Sequence, residues 1–309
     1  MKKFSYKQYN LKNLIQRKNR KKLTIGIGLP IYNEAKTIEK TICIIKKCGK
    51  LIDKTIAIDS GSSDGSREIC KKLGIKVVTD KKASADLGVP LQSGKGWNLW
   101  ASLYYLSTDV ILWIDTDIKN VGERFITGIV GPMIEDDKIK FVKGYYHRPK
   151  GDARVTEIMV RPFISMIFPE LEDFIQPLSG EYGGRKDFLE KIDFYSGYSI
   201  EMAILLQAVS GLKNNEVAQS YLGKRIHELQ SVISLGKMSS SILRTLLRIA
   251  NDKKRIKLNK NNLSDTLTNY VSKNGIDFIS QKHKIADKKL PPMVKNKNYL
   301  GHTFNNKIL

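Results

Sequence analysis

The chain has 309 residues, 41% of them hydrophobic, enough for one large domain with a sizeable core and extensions. Its net charge of +22 invites a nucleic-acid reading until the charge is located: residues 1–22 carry nine Lys/Arg and no acid, residues 241–309 carry fifteen against four, and 23–240 carry 29 against 27. A nearly neutral body with two basic ends and no nucleic-acid motif predicts solvated surface at both ends and no nucleic-acid partner. No apolar run approaches the ~18–20 residues of a membrane span. The opening MKKFSYKQYNLKNLIQRKNRKK has no apolar signal region. Cys43, Cys48 and Cys70 show neither metal nor CxxC spacing. The expectation is a soluble, cytoplasmic protein without a membrane partner; a homodimer is left open.

Taken in chain order, Thr24–Leu29 reads as a buried strand stopped by Pro30. From Glu34 the period changes, with Ile38, Ile42 and Ile45 on one helical face. Thr55–Ile58 is a second strand, then the turn-rich DSGSSDGS, then a helix over Ser66–Leu73 and a strand over Ile75–Thr79. Gly96–Leu106 reads as helix, Val110–Ile114 as an apolar strand ending on Asp115, and Phe141–Gly144 as another strand. Helices follow at 155–168 and 200–212. A linker near 249–263 leads into a polar, Lys-rich tail expected to be peripheral. The alternation predicts an α/β fold with a mostly parallel central sheet and Rossmann-like crossovers. The expected divisions are an arm 1–22, a catalytic domain 23–248 and an extension 249–309.

Parallel α/β sheets bind ligands beyond the carboxyl ends of their strands. There the chain places Pro30-Ile31-Tyr32-Asn33-Glu34, Asp59-Ser60-Gly61-Ser62-Ser63-Asp64 and Asp115-Thr116-Asp117, with Ser93-Gly94-Lys95-Gly96 beside them. The Asp115-x-Asp117 pair at a strand end offers hard oxygens that suit Mg²⁺ or Mn²⁺ bridging to a diphosphate. An isolated pair of this kind is weak, because acidic turns are common; directly after Ile-Leu-Trp-Ile it is informative. Lys95, in its glycine-rich turn, suits a phosphate or ribose contact as well as it suits an exposed loop.

Two other readings compete. Gly26-x-Gly28 with Asp59 would imitate a dinucleotide fingerprint, but the glycines lie inside the strand and Ile31 stands in the third glycine's place. Gly61-Ser62-Ser63-Asp64-Gly65 matches a hydrolase nucleophile turn, with His227 downstream, but no oxyanion loop is visible and the acidic pair goes unexplained.

These motifs resemble the GT-A nucleotide-sugar transferases. The segments GKGWNLWASL, FVKGYYHRP, ARVTEIMVRPFI, FPELEDFIQPLSGEYGGR, GYSIEMAILL and LGKRIHELQS resemble, more specifically, the glucosyl-3-phosphoglycerate synthase family, in order from about residue 23 to 248. The resemblance implies a GT-A fold and metal-dependent, retaining transfer of glucose from a nucleotide sugar, UDP-glucose foremost, to 3-phosphoglycerate. It implies that Pro30, Ile31, Tyr32 and Glu34 hold the uridine end with Ser60 and Lys95, and that Asp115 contacts the nucleotide. Asp117 and His227 would ligate Mg²⁺ or Mn²⁺. Arg154 and Thr156, with the backbone NH of Ala153, would bind the acceptor. Leu178 and Glu201 would line the sugar pocket, so that Asp117, Glu201 and Leu178 stand nearest the transfer.

The chain departs from the family at the acceptor end. Gly151-Asp152-Ala153 stands in place of a glycine run, and Glu228-Leu229 in place of Arg and Asn. Both changes oppose an acidic acceptor. Transfer to another acceptor, including a membrane polyprenyl phosphate, and a non-enzymatic nucleotide-sugar sensor are the competing functions.

Overall fold

The short apolar runs between residues 24 and 144 form parallel strands, and the segments with helical periodicity form the crossovers between them. The computed structural model describes residues 1–148, 154–228, 230–259, 263–273, 276–285 and 287–305, with side chains to 301. The first half of the chain contains β1 (Lys2–Ser5), α1 (Leu11–Arg20), β2 (Ile25–Ile31), α2 (Ile38–Lys47), β3 (Lys54–Asp59), α3 (Ser66–Lys72), β4 (Lys76–Thr79), α4 (Asp80–Leu87), α5 (Lys95–Tyr105), β5 (Val110–Trp113), α6 (Glu123–Glu135) and β6 (Phe141–His147). The second half contains α7 (Arg161–Ile167), β7 (Tyr182–Arg185), α8 (Lys186–Leu189), β8 (Phe194–Tyr195), α9 (Ile200–Gly211), β9 (Val217–Lys224), α10 (Val232–Asp252), β10 (Thr266–Ser272), β11 (Phe278–Lys284), β12 (Lys289–Leu290) and α11 (Lys297–Asn305).

Eight strands make one sheet in the order β1-β9-β6-β7-β5-β2-β3-β4. Its pairs are parallel except where β7 runs against β5 and β6. From β2 the chain winds outward to β3 and β4, then returns to β5 on the other side of β2. The carboxyl ends of β2 and β5 therefore flank a topological switch point, where open α/β sheets take their ligands. Pro30 does not stop β2. β5 ends at Trp113 opposite Gly28, so position 30 has only β3 beside it and the missing N–H breaks no second ladder.

Side chains alternate across the sheet into two cores. Ile25, Ile27 and Leu29 face α2 and its buried Ile38, Ile42 and Ile45. Ile56, Ile58 and Trp113 face α5 and its buried Trp97 and Trp100. Each core is built of large apolar side chains that the sequence places at the period of its element.

The ends of the chain are only partly solvated: β10 and β11 form a largely exposed hairpin, while other parts of both ends are anchored on the body. β1 adds an edge strand beside β9, and Leu14 of α1 is buried. Lys18 is also buried, with Nζ 2.7 Å from Asp53, while Lys2, Arg17 and Lys21 pair with Asp136, Glu135 and Asp137. At the other end, α10 crosses the expected boundary at 248/249, and Arg255 grips Glu170 at 2.8 and 2.9 Å. β12 pairs with β8, and Leu290, Met293 and Tyr299 enter the Trp97 core. The tail looks polar because it supplies only a few anchors, and each anchor fits a cavity left by the rest of the fold. No helix among the described residues is long and apolar enough to cross a membrane.

Candidate active site

Beyond the carboxyl edge of β2, β3 and β5 lies an open cleft of about 560 Å³. One wall is two loops stitched together. Asn33 sits in the left-handed region at φ 56°, a conformation asparagine tolerates. Its N–H donates to Ser62 Oγ at 3.0 Å, and its Oδ1 accepts from the Ser63 N–H at 2.9 Å. The Glu34 N–H donates to Ser66 Oγ at 2.7 Å, and the Ala35 N–H to Asp64 Oδ2 at 2.8 Å. Thus the DSGSSDGS turn carries the loop after β2, and Pro30, Ile31, Tyr32, Glu34 and Ser60 are presented to the cleft. Tyr32 is 62% exposed, an open face for a flat ring. Ser60 Oγ donates to Asn98 Oδ1 at 2.9 Å, while Asn98 Nδ2 donates to Ile58 O at 3.0 Å.

Lys95 opens α5 and lies at the centre of the cleft. Its Nζ is 2.5 Å from Asp115 Oδ1 and 2.6 Å from Glu201 Oε1. Burial alone would lower the ammonium; Asp115 and Glu201 outweigh it and hold Lys95 well above the ordinary lysine value. Asp115 is likewise pushed up by burial and pulled down further by Lys95 and Arg225, so it stays ionised. The approach is tight enough that a β-carbon on Gly180 would collide with the Asp115 carboxylate. Similarly, a β-carbon on Gly96 would strike Tyr195 O. Those two glycines are required by close approach.

Arg225, just past β9, binds three carboxylates at once. Its Nη2 is 2.8 Å from Asp117 Oδ1 and 3.3 Å from Asp115 Oδ2, and its Nε is 3.3 Å from Glu181 Oε1. Asp117 is the most open of the three, with 36% of its side chain exposed against 18% for Asp115 and none for Glu181. Burial, seconded by the Asp117 carboxylate, pushes the Glu34 carboxyl up to about 7. Lys143, fully enclosed behind the cleft, donates from Nζ to Ser179 O at 2.7 Å and lies 4.4 Å from the Tyr182 ring centre. Burial pushes its ammonium down to about 7, although Glu201 pulls the other way.

Arg154, Thr156 and Leu178 also line the cleft, and His227 enters from the loop after β9. Arg154 Nη2 donates to Gln230 O at 3.0 Å. Arg148, above the Tyr146 ring at 5.0 Å, adds a further guanidinium to the cleft. Ala153, Asp152 and Leu229 lie outside the described residues. Glu228 does not line the cleft and pairs with Lys119 at 3.1 Å. Every other residue to which the resemblance gave a role lines this one cleft, whereas Asn33, Asp59, Ser62, Ser63 and Asp64 stand behind its loops. Residues the sequence reading passed over are Arg225, Lys143, Glu181, Asn98 and Arg148.

The two competing motifs have structural explanations. Asp59 is fully buried and held by Arg67 at 3.1 Å, so it is unavailable to a ribose. Ser63 lies outside the cleft that His227 lines.

The family model for glycosyl transferase family 2 matches residues 27–192. A glucosyl-3-phosphoglycerate synthase of Petrotoga mobilis is 36% identical over 92% of this chain and 90% of its own. The chain belongs to the glucosyl-3-phosphoglycerate synthase family. A solved structure of the glucosyl-3-phosphoglycerate synthase of Mycobacterium tuberculosis, in complex with Mn²⁺, UDP and glucosyl-3-phosphoglycerate, superposes with a TM-score of 0.82. It is 32% identical, over 93% of this chain and 96% of that one. The mannosyl-3-phosphoglycerate synthase of Rubrobacter xylanophilus superposes at 0.88 with 27% identity, over 95% and 97% of the two chains.

This member of the glucosyl-3-phosphoglycerate synthase family has a donor set that fits a divalent ion. Asp117 and His227 face the same cleft, and His227 is close enough to help hold the Asp115 carboxyl down. Among the described residues no cluster of three or more His, Cys, Asp or Glu closes a metal site. Two protein ligands with open positions suit an ion that shares itself with diphosphate oxygens and water.

Proposed function

We propose that the chain transfers glucose from UDP-glucose to 3-phosphoglycerate, with retention at the anomeric carbon, releasing UDP. The observation that carries this reading is the gathering of Lys95, Asp115, Asp117, Glu201 and His227 with Arg154 and Thr156 in one cleft. In this reading Pro30, Ile31, Tyr32, Glu34 and Ser60 hold the uridine end, and Asp115 contacts the nucleotide. Glu201 and the backbone at Leu178 orient the sugar. Arg154 and Thr156, with the Ala153 N–H, take the acceptor phosphate. Asp117 and His227 would hold Mg²⁺ or Mn²⁺, which neutralises charge developing on the diphosphate leaving group.

The electrostatics support a front-face transfer. Asp115 and Glu201 are both committed to Lys95, and Asp117 to Arg225, so none of these three carboxylates is placed as a free base. The acceptor hydroxyl then attacks the anomeric carbon as its bond to the diphosphate breaks, and its proton passes to the departing diphosphate oxygen. Lys95 holds Asp115 and Glu201 in fixed array, so catalysis rests on positioning and preorganised charge. Both substrates belong to the cytoplasm, where we place the enzyme.

Product analysis from UDP-glucose, ADP-glucose and GDP-mannose against 3-phosphoglycerate, glycerate and glycerol phosphates tests the reading. Glucosyl-3-phosphoglycerate from UDP-glucose is the expected product. Preferred transfer to an uncharged acceptor would overturn the acceptor assignment.

A further inference from the structure

The segment Asp287–Pro291 comes from the C-terminal tail, yet it straps the loop that leads into α9. Ser196 donates its N–H to Lys288 O at 2.9 Å, and the Lys288 N–H returns to Ser196 Oγ at 3.0 Å. β12 then pairs with β8 in register Lys289↔Tyr195 and Leu290↔Phe194. The strap is fastened at both ends: Arg244 Nη1 donates to Ile285 O at 3.1 Å, and Trp100 Nε1 donates to Pro291 O at 2.8 Å.

Asp287 makes the decisive contacts. Its Oδ2 accepts from the Ser199 N–H at 3.0 Å and from Ser199 Oγ. Ser199 is the N-cap of α9 and makes no capping bond of its own; Asp287 holds it from outside and adds a second carboxylate near a helix start that already carries Glu201. Glu201 lies in the first turn of that helix, and its carboxylate holds Lys95 at 2.6 Å. The same loop also seats the start of α5: Trp97 donates its N–H to Ser196 O at 2.9 Å, two residues from Lys95. Asp287 itself does not line the cleft, whereas Gly197 and Tyr198 of the loop do.

We propose that Asp287 is a positioning residue for the sugar end of the donor: it fixes the loop 196–199 and the α9 start, and through them the mutual placement of Tyr198, Glu201 and Lys95. The assignment rests on the reading of Glu201 and Lys95 as donor-side residues. It makes the C-terminal segment part of the transfer apparatus, separate from the acceptor wall around Arg154.

The test compares the full-length parent with Asp287→Ala, Asp287→Asn and Ser199→Ala. The measurements are kcat and KM for UDP-glucose, KM for 3-phosphoglycerate, Kd for UDP alone, and thermal unfolding. A displaced catalytic loop costs about tenfold to a hundredfold in kcat/KM for UDP-glucose. In Asp287→Ala this loss is expected while the UDP Kd and the acceptor KM stay within about twofold of the parent. Asp287→Asn keeps an acceptor oxygen and is expected to restore most of the loss; Ser199→Ala, which keeps the N–H bond, is expected to show a smaller loss in the same parameter. If Asp287→Ala does not fold, Ser199→Ala decides alone, and an unchanged kcat/KM overturns the proposal. Equal changes in UDP Kd, acceptor KM and donor kcat/KM would show a merely structural role and also overturn it. A parent that transfers another sugar overturns the substrate reading by itself; the variants are then scored against that sugar.

Discussion

Replacing Lys143 with methionine tests how this cleft is maintained against its own folding cost. The ammonium is fully enclosed, and burial brings it down to about 7 from 10.5. Its partners are a single carbonyl, Ser179 O at 2.7 Å, and the face of Tyr182. A base with a depressed folded-state pKa binds its proton less well in the folded chain than in the unfolded one. Its contribution is complete above the unfolded pKa and is lost as pH falls toward 7, below which the full cost is carried. At pH 7 that cost is on the order of 3–5 kcal/mol, and the bond to Ser179 O returns about 1 kcal/mol of it. Lys143→Met conserves the unbranched stem, so the variant is expected to be about 2–4 kcal/mol more stable than the parent at pH 7.

The pH dependence makes the argument sharper than the sign alone. Between about 7 and 10.5 the unfolded chain holds one more proton at this site than the folded chain. The advantage of Lys143→Met should therefore shrink by about 1.4 kcal/mol for each pH unit across that window. Urea denaturation of parent and variant at pH 7, 8 and 9 measures this, and taking the difference cancels the other titrations. A difference that stays flat with pH, or a variant less stable at every pH, refutes the reasoning. Activity should fall in the same variant, because Ser179 O anchors the loop that carries Leu178 into the cleft.

Chelation by EDTA is expected to abolish transfer, Mg²⁺ or Mn²⁺ to restore it, and Asp117→Asn and His227→Ala each to lose most activity in a steady-state assay; full turnover in EDTA would refute the ligand assignment. Deleting residues 1–18 removes buried Leu14, buried Lys18 and the β1 edge strand. Loss of Leu14 packing alone costs about 2–5 kcal/mol, so the urea midpoint should fall clearly, while the folded fraction keeps turnover within about a few-fold. Arg154→Ala should raise the acceptor KM by roughly thirty- to two-hundredfold, about 2–3 kcal/mol, as expected for a lost charge-assisted phosphate contact. UDP binding measured by calorimetry should barely change in that variant.

The donor half of the cleft was legible because its residues lie where a local pattern ends. Each of Pro30–Glu34, Asp59–Asp64 and Asp115–Asp117 directly follows an apolar run, and parallel topology brings the carboxyl ends of such strands to one edge. Nothing beyond neighbouring residues is needed to find them. Glu201, Arg154 and His227 carry no such local mark, since each lies far along the chain from its partners; only the family resemblance singled them out. Arg225 shows the difference. It is two residues from His227, but its meaning depends on β9 lying beside β6 and on a reach of more than a hundred residues back to Asp115 and Asp117. Lys143 did leave a trace, a lysine within the apolar run Phe141–Gly144 of a strand buried on both faces, which is an anomaly that composition alone does not flag.

The ends of the chain escaped notice for a related reason. Net charge and hydropathy average over a segment, whereas anchoring depends on a few residues with the right partners. Residues 1–22 have the composition of a solvated arm, yet four of their nine cations meet Asp136, Glu135, Asp53 and Asp137 on the body. Three of those pairs are exposed and each contributes little. The fourth places a buried ammonium against Asp53, whose other oxygen accepts the Ile25 N–H at 2.6 Å, at the first residue of β2. The basic arm is thereby tied to the strand whose far end opens the active site. The C-terminal strap repeats the logic at the other wall, with Asp287 tied to the residue that caps the Glu201 helix. Both basic ends serve to brace strands and helix starts that present the catalytic loops. Six of their cations, Lys2, Arg17, Lys18, Lys21, Arg255 and Lys289, do so by pairing with acids on the body.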